Sequence, residues 1–133
     1  MNVSKVDVAA DFGARLYGRY PEDGEFCGEN FRTKILIPKL QSGGKVELDF
    51  TKVIATPSSF FEEAFGGLLR EVFASKELAS NLNIEIAQLG SPKNVAEELL
   101  SRIKLKADDV FVDKKLQKVK NYMNIAADLI AAK

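Results

Sequence analysis

The feature that most constrains the fold is a short segment that alternates strictly between charged and apolar residues. Lys45 to Phe50 reads KVELDF, so an extended backbone would place Val46, Leu48 and Phe50 on one face. After a turn, residues 59–73 carry apolar side chains at intervals of three and four, which is typical of a helix with one buried face. These two patterns predict a strand with one apolar face and a helix that covers it.

The same order of elements is predicted on both sides of this unit. Val6 and Val8 flank Asp7 and predict a first strand, and a helix is predicted over residues 29–41, where Pro38 should bend or shorten it. Ile84 and Ile86, which flank Glu85, predict a third strand.

Two more helices are predicted in the last third of the chain. Gly90-Ser91-Pro92 precedes a helix pattern that carries Val95, Leu99 and Ile103 on one side. A long helix is predicted over residues 113–131, and it either closes the core or contacts a partner.

Alternating strands and helices favour a mixed, mostly parallel sheet in an α/β fold. Because each strand alternates apolar with charged residues, we expect helices on one face of the sheet and a polar opposite face. The 133 residues fit one domain, over 1–133, in which the helix at 113–131 is either integral or an appended element.

The composition excludes several classes of function. The sequence has no histidine, so a Ser-His or Cys-His nucleophile pair and a histidine-containing zinc site are excluded. Nineteen basic residues balance nineteen acidic ones, which argues against nucleic-acid binding and against a basic membrane anchor. One cysteine, no signal-peptide pattern and no long apolar run favour a cytoplasmic protein.

Residues that often carry chemistry have simpler explanations here. Gly66 and Gly67 lie inside the helix pattern, where close packing explains them, and no phosphate-binding loop is present. Glu62 and Glu63 are expected on a solvated face near the positive end of the helix, and Cys27 is expected to be an inert thiol. We therefore expect no catalytic residue, no metal and no cofactor.

The start of the central helix has two candidate caps. Ser59 and Glu62 have the spacing of a capping box, and Ser58 or Thr56 with Pro57 in the first turn is an alternative.

Lys45 to Val72 resembles the STAS-like domain family, which is distantly similar to the STAS domains of sulphate transporters and anti-sigma-factor antagonists. Residues 59–68, SFFEEAFGGL, fit the S-F-x-E-E-A-F-G-G-L pattern of one branch, and residues 27–32, CGENFR, resemble S-G-E-x-F-R with Cys27 in place of serine. The residues that carry the resemblance are Arg15, Gly28, Glu29, Phe31, Arg32, Asp49, Phe65, Gly66 and Gly67.

The resemblance implies a STAS-like fold and a non-enzymatic regulatory domain that binds a protein partner. Anti-sigma-factor antagonists bind an ATPase-kinase of the histidine-kinase-like fold, which phosphorylates a serine at a helix N-terminus and so releases the complex. By position the equivalent serine is Ser59, with Ser58 as second choice. The residues expected at a partner-binding or phosphorylation site are Ser59, Ser58, Thr56, Phe60, Glu62 and Glu63.

This chain departs from the antagonists at the serine pair. They carry Asp-Ser-Ser/Thr-Gly where it has Pro57-Ser58-Ser59-Phe60, so the acidic residue is missing and a bulky ring replaces glycine. Three alternatives therefore stay open: the serines only cap the helix, the domain binds a small ligand or nucleotide, or it is a phage- or defence-linked inhibitor. A homodimer through the C-terminal helix is a further expectation.

Overall fold

Three parallel strands form the sheet of the computed structural model, which describes residues 3–107 and 112–132. Strand β1 is Val3–Asp7, β2 is Lys45–Asp49 and β3 is Ile103–Lys106, and β2 lies between the other two. Val6 lies opposite Leu48, and Leu48 lies opposite Leu105. The predicted α/β fold with a parallel sheet is confirmed.

Seven helices connect and follow these strands in the described residues. Helix α1 is Val8–Asp11, and α2 spans residues 28–41 as Gly28–Phe31, a π-helical turn Arg32–Leu36, and Ile37–Gln41. Helix α3 spans residues 58–74 as Ser58–Phe61, a π-helical turn Glu62–Gly66, and Gly67–Ala74. The others are α4 Lys76–Asn81, α5 Ile86–Leu89, α6 Pro92–Ser101 and α7 Val112–Ala131.

The helices cover one face of the sheet, as the strand patterns predict. Apolar strand residues such as Val46, Leu48 and Leu105 are buried, because they point toward the helices. On the opposite face Glu47 pairs with the exposed Lys104, whose Nζ lies 3.7 Å from Glu47 Oε1. The second face of this parallel sheet is therefore polar.

The third strand lies at a different place from the predicted one. Ile84 is buried in the turn after α4, and Ile86 begins the short helix α5, so the strand predicted around Glu85 is wrong. The third strand is Ile103–Lys106, where IKLK alternates buried and exposed residues. Ile103 also continues the helical spacing of Leu99, so the helix pattern hides the start of the strand.

Pro38 does not end helix α2, which reaches Gln41 as predicted. The π-helical turn ends at Leu36, and the amide of Ile37 donates to the carbonyl of Arg32 five residues earlier. Because proline has no amide hydrogen, the α-helical bond from residue 38 is absent in any case, and a change of helix type here costs little.

The C-terminal helix α7 confirms the prediction for residues 113–131 and closes the core. It packs on the π-helical turn of α3, on α6 and on β3. Its buried face consists of Val119, Met123, Ala126 and Ala127. Ile125 and Leu129 remain exposed one turn apart, and a homodimer through this helix stays a prediction.

Candidate functional site

The serine pair lies inside the first turn of α3 and does not cap it. Pro57, in an extended conformation, occupies the N-cap position, and no side chain in the described part of the chain caps this end. The amide of Phe60 donates to the carbonyl of Pro57 at 3.1 Å. Both predicted caps are therefore wrong, namely Ser59 with Glu62 and the alternative of Ser58 or Thr56. Pro57 occupies the N-cap position instead, and Glu62 has other partners.

The side chains around the serine pair differ in exposure. Ser58 is exposed, whereas Ser59 and Thr56 are partly buried. Phe60 is fully buried, and its ring centroid lies 5.4 Å from that of Phe31 on α2. Phe60 therefore positions the start of α3 from the core, whereas the two serines and Thr56 retain solvent exposure.

Glu62 and Glu63 are part of an ion-pair cluster, so the prediction of a solvated face is wrong for them. Arg70, two turns along α3, donates to Glu62 Oε2 at 2.7 Å and lies 3.5 Å from Glu63 Oε1. Arg19, in the loop before α2, pairs with Glu62, and its Nη1 lies 3.9 Å from Glu63 Oε1. Glu63 itself is buried, because α2 packs over it.

The arginines keep the carboxylate of Glu62 charged. Partial burial raises the pKa of Glu62, but hydrogen bonds from Arg70 and Arg19 outweigh it, so the pKa is lowered from its ordinary value of 4.5. Burial likewise opposes the charge on Arg70, but the hydrogen bond to Glu62 and the attraction of Glu62, Glu63 and Tyr20 raise the pKa of Arg70.

Arg32, one of the residues that carry the family resemblance, is buried between α2 and α3. Its Nη1 lies 3.0 Å from Glu63 Oε2 and also donates to the Glu63 carbonyl, and its Nε lies 2.8 Å from Glu71 Oε1. A side chain at Gly67 would collide with this guanidinium. Arg32 and Gly67 are therefore explained by helix packing.

Gly28 and Gly66 allow two other close approaches. A Cβ at Gly28 would lie 2.6 Å from the carbonyl oxygen of Phe60 and 2.8 Å from the Cβ of Glu63. A Cβ at Gly66 would lie 2.5 Å from Glu62 Oε2 on the same helix, and it would lie at an ordinary contact distance of 3.4 Å from the carbonyl oxygen of Tyr122 on α7. Close packing on a neighbouring helix, the sequence-based explanation for Gly66 and Gly67, is confirmed at Gly67, where the Arg32 guanidinium of α2 occupies the space of a side chain.

Ser59 lines a surface cleft of about 240 Å³ beside the start of α3. The other lining residues are Tyr17, Gly18, Arg19 and Asp23. Asp23 shapes this loop, because its Oδ2 accepts hydrogen bonds from the amides of Arg19 at 2.9 Å and Tyr20 at 3.1 Å. These bonds, first that from Tyr20 and then that from Arg19, lower the pKa of Asp23. Gly18 adopts a φ of +74°, which favours glycine at this turn.

The other residues that carry the resemblance lie apart from the cleft or in the core. Asp49 accepts a hydrogen bond from the Thr51 amide at 2.9 Å at the end of β2, and hydrogen bonding to Thr51 lowers the pKa of Asp49. Arg15 is exposed and forms a backbone bridge with Ala55. Glu29 is partly buried in the first turn of α2. Phe31 and Phe65 are buried with ring centroids 6.4 Å apart.

Cys27 occupies the N-cap position of α2 and is buried. Its Sγ accepts a hydrogen bond from the amide of Asn30 at 3.5 Å. A thiol at a serine position of the family pattern therefore takes the capping role that a serine hydroxyl would fill.

Sequence reasoning missed four residues of this region: Tyr17, Arg19, Tyr20 and Arg70. Arg70 follows Glu62 by eight residues, so helical spacing places both on one face of α3, and this signal could have found it. Arg19 is 43 residues from Glu62, and no local pattern connects the two.

Residues 3–107 and 112–132 have neither a metal-binding cluster nor a membrane-spanning helix. They contain no group of three or more acidic or cysteine residues placed to hold a metal ion. No helix among them is long and apolar enough to span a bilayer.

A parallel three-stranded sheet with helices on one face and a surface cleft beside the start of its central helix defines a small α/β domain. The family model of a STAS-like domain of unknown function (DUF4325) matches residues 27–88, which contain α2, β2 and α3. The predicted resemblance is thus confirmed over these residues. No curated protein and no solved structure matches the chain.

Proposed function

We propose that this chain is a non-enzymatic regulatory domain that binds a protein partner beside the N-terminus of α3. The binding surface, which we call the tyrosine face, consists of Tyr17, Arg19, Tyr20, Ser58 and Ser59. A partner ATPase-kinase that phosphorylates Ser59, or Ser58, would release the complex.

The observation that carries this proposal is the exposure of two tyrosines beside the serine pair. Tyr17 is 65% exposed and lines the same cleft as Ser59, and Tyr20 is 44% exposed. Tyrosine and arginine are enriched among the residues that contribute most to protein interfaces. Ile54, 65% exposed, lies next to the Arg15–Ala55 bridge that joins the tyrosine loop to the segment before α3.

The electrostatics of the face support a phosphorylation switch. A phosphoryl group adds about −1.5 to −2 charges. On Ser59 it would lie in the cleft with Arg19, one helical turn from Glu62, which already pairs with that arginine. The phosphate would bind Arg19 and add negative charge beside it, so the partner would lose Arg19 as a binding residue of the tyrosine face.

The size of the cleft favours a protein partner over the small-ligand alternative. Small-molecule sites usually enclose about 300–1,000 Å³ and bury most of the ligand. The cleft of about 240 Å³ beside Ser59 is smaller and is lined mainly by charged and tyrosine side chains.

Photo-crosslinking from single positions tests the proposal. We would place benzoylphenylalanine at position 17 or 58 of the full chain, irradiate the native cells, and identify adducts by mass spectrometry. Gln88 on α5, also exposed, is the matched control position. We expect one protein adduct shared by positions 17 and 58 and absent at 88. The same adduct from all three positions, or none from 17 and 58, would refute a specific face.

Charge at the serines tests the switch separately. We expect Ser59→Glu to reduce the yield of that adduct, with Ser59→Gln as the uncharged control of similar size. Equal yields from both variants, and from Ser58→Glu with Ser58→Gln, would remove the phosphorylation switch and leave the interaction domain in place.

A further inference from the structure

The charged side chains around the tyrosine face differ in solvent exposure. The side chains of Arg19 and Arg70 are 39% and 41% exposed, whereas those of Glu62 and Glu63 are 20% and 8% exposed. Asp23 is exposed, but its Oδ2 is held by two backbone amides of its own loop. Arg19 and Arg70 are therefore more exposed than Glu62 and Glu63, the two carboxylates that pair with them.

We infer that the partner presents an acidic segment, whose Asp or Glu carboxylate binds Arg19 and Arg70. This inference rests on the proposed function and adds the chemistry of the partner to it. A guanidinium has five N–H donors, so an arginine that already binds one carboxylate can bind a second. The two tyrosines supply apolar contact area around such a charge pair.

Glu62 competes with a partner carboxylate for Arg19 and Arg70, because it already binds both arginines. It binds Arg70 through Oε2 at 2.7 Å and also pairs with Arg19. An incoming carboxylate must share both guanidinium groups with it, so Glu62 lowers the affinity for an acidic segment. An uncharged residue at this position should therefore bind acidic peptides more tightly than the native chain.

A library of short peptides displayed on phage tests the inference with defined probes. We would select the library on the full chain and on the variant Arg19→Gln/Arg70→Gln, and sequence the bound pools. The control Lys93→Gln/Lys120→Gln removes the same charge from two exposed lysines that line another cleft. We expect Asp and Glu to be enriched on the native chain and the control, and not on the arginine variant. Similar enrichment on all three proteins would overturn the inference.

The variant Glu62→Gln gives a second test that loss of folding cannot mimic. A synthetic copy of the most enriched acidic peptide should bind this variant about two- to fivefold more tightly than the native chain, which is the range expected for one exposed ion pair. Equal or weaker binding by the variant, measured by fluorescence polarisation, would overturn the inference. Equal affinity of the native chain for the acidic peptide and for a short oligothymidylate would also overturn it.

The display experiment also separates this inference from the proposed function. Enriched peptides that lack acidic residues but lose binding in Tyr17→Ala would leave the interaction domain standing and remove only the acidic partner. A native chain that enriches no peptide at all would count against both.

Discussion

Removing the guanidinium of Arg32 should destabilise the fold strongly, because it would leave a buried carboxylate with fewer partners. Both side chains of the Arg32–Glu63 pair are less than a tenth exposed, and Nη1 lies 3.0 Å from Oε2. Arg32→Met keeps an unbranched apolar stem and removes the charge. The variant also removes the 2.8 Å contact between Arg32 Nε and Glu71.

The expected loss can be estimated from the partners that Glu63 would keep. Breaking a buried ion pair by removing one partner costs about 3–5 kcal/mol. Glu63 would retain Arg70 at 3.5 Å and Arg19 at 3.9 Å, so the low end applies. A loss of about 3 kcal/mol corresponds to a fall of about 1.5 M in the urea midpoint at a slope of about 2 kcal/mol/M.

Urea unfolding followed by circular dichroism measures this loss. Lys104→Met is the control, because it removes an exposed partner 3.7 Å from Glu47 and should cost less than about 1 kcal/mol. The double variant Arg32→Met/Glu63→Gln should be more stable than Arg32→Met, since it removes a buried charge that has lost its nearest partner. An Arg32→Met loss no larger than that of the control, or no rescue in the double variant, would refute the reasoning.

Three further predictions concern the same helix pair. Gly28→Ala should lower stability by about 1–3 kcal/mol in thermal unfolding, because the new Cβ meets the Phe60 carbonyl; an unchanged melting temperature would contradict the close packing. The pKa of Glu62 in the folded state lies below its ordinary value of 4.5. The contribution of the Glu62 carboxylate to folding stability is therefore present above pH 4.5 and is lost as the pH falls through the folded-state pKa. Glu62→Gln should therefore lose less stability than the native chain between about pH 6 and pH 3. If the unfolding free energies of the two proteins fall equally with pH, Glu62 is not the group whose protonation destabilises the fold. Ser58→Ala and Ser59→Ala should each change the free energy of unfolding by less than about 0.5 kcal/mol, because neither serine caps α3. Ser91→Ala should cost about 1 kcal/mol, because Ser91 caps α6. Equal losses in the three variants would show that Ser58 and Ser59 do cap the helix.

The elements predicted correctly from the sequence are those whose patterns fit only one structure. The alternation around Val46 and Leu48 fits a strand and no helix, and the spacing in residues 59–73 fits a helix and no strand. Ile103 fits both the helical spacing and the strand spacing, since it lies four residues after Leu99 and two before Leu105. A single residue shared by two patterns was enough to hide β3.

The candidate site was predicted in part, because half of it comes from distant sequence. Ser58 and Ser59 were predicted from the family resemblance and lie at the start of α3. Arg19 reaches Glu62 only because the loop before α2 folds over α3. The burial of Glu63 follows from helix packing, so two adjacent glutamates looked like a solvated pair when they are the centre of an ion-pair cluster.

We propose that a protein partner docks on the tyrosine face and is released by phosphate on Ser59. The most direct measurement is the dissociation constant of the crosslinked partner, by calorimetry, for the chain with serine and with phosphoserine at position 59. Phosphoserine at position 58, outside the cleft, serves as the comparison. We predict at least about tenfold weaker binding with phosphoserine 59, equivalent to about 1.4 kcal/mol. Unchanged affinity for the phosphoserine 59 chain would contradict release of the partner by phosphorylation.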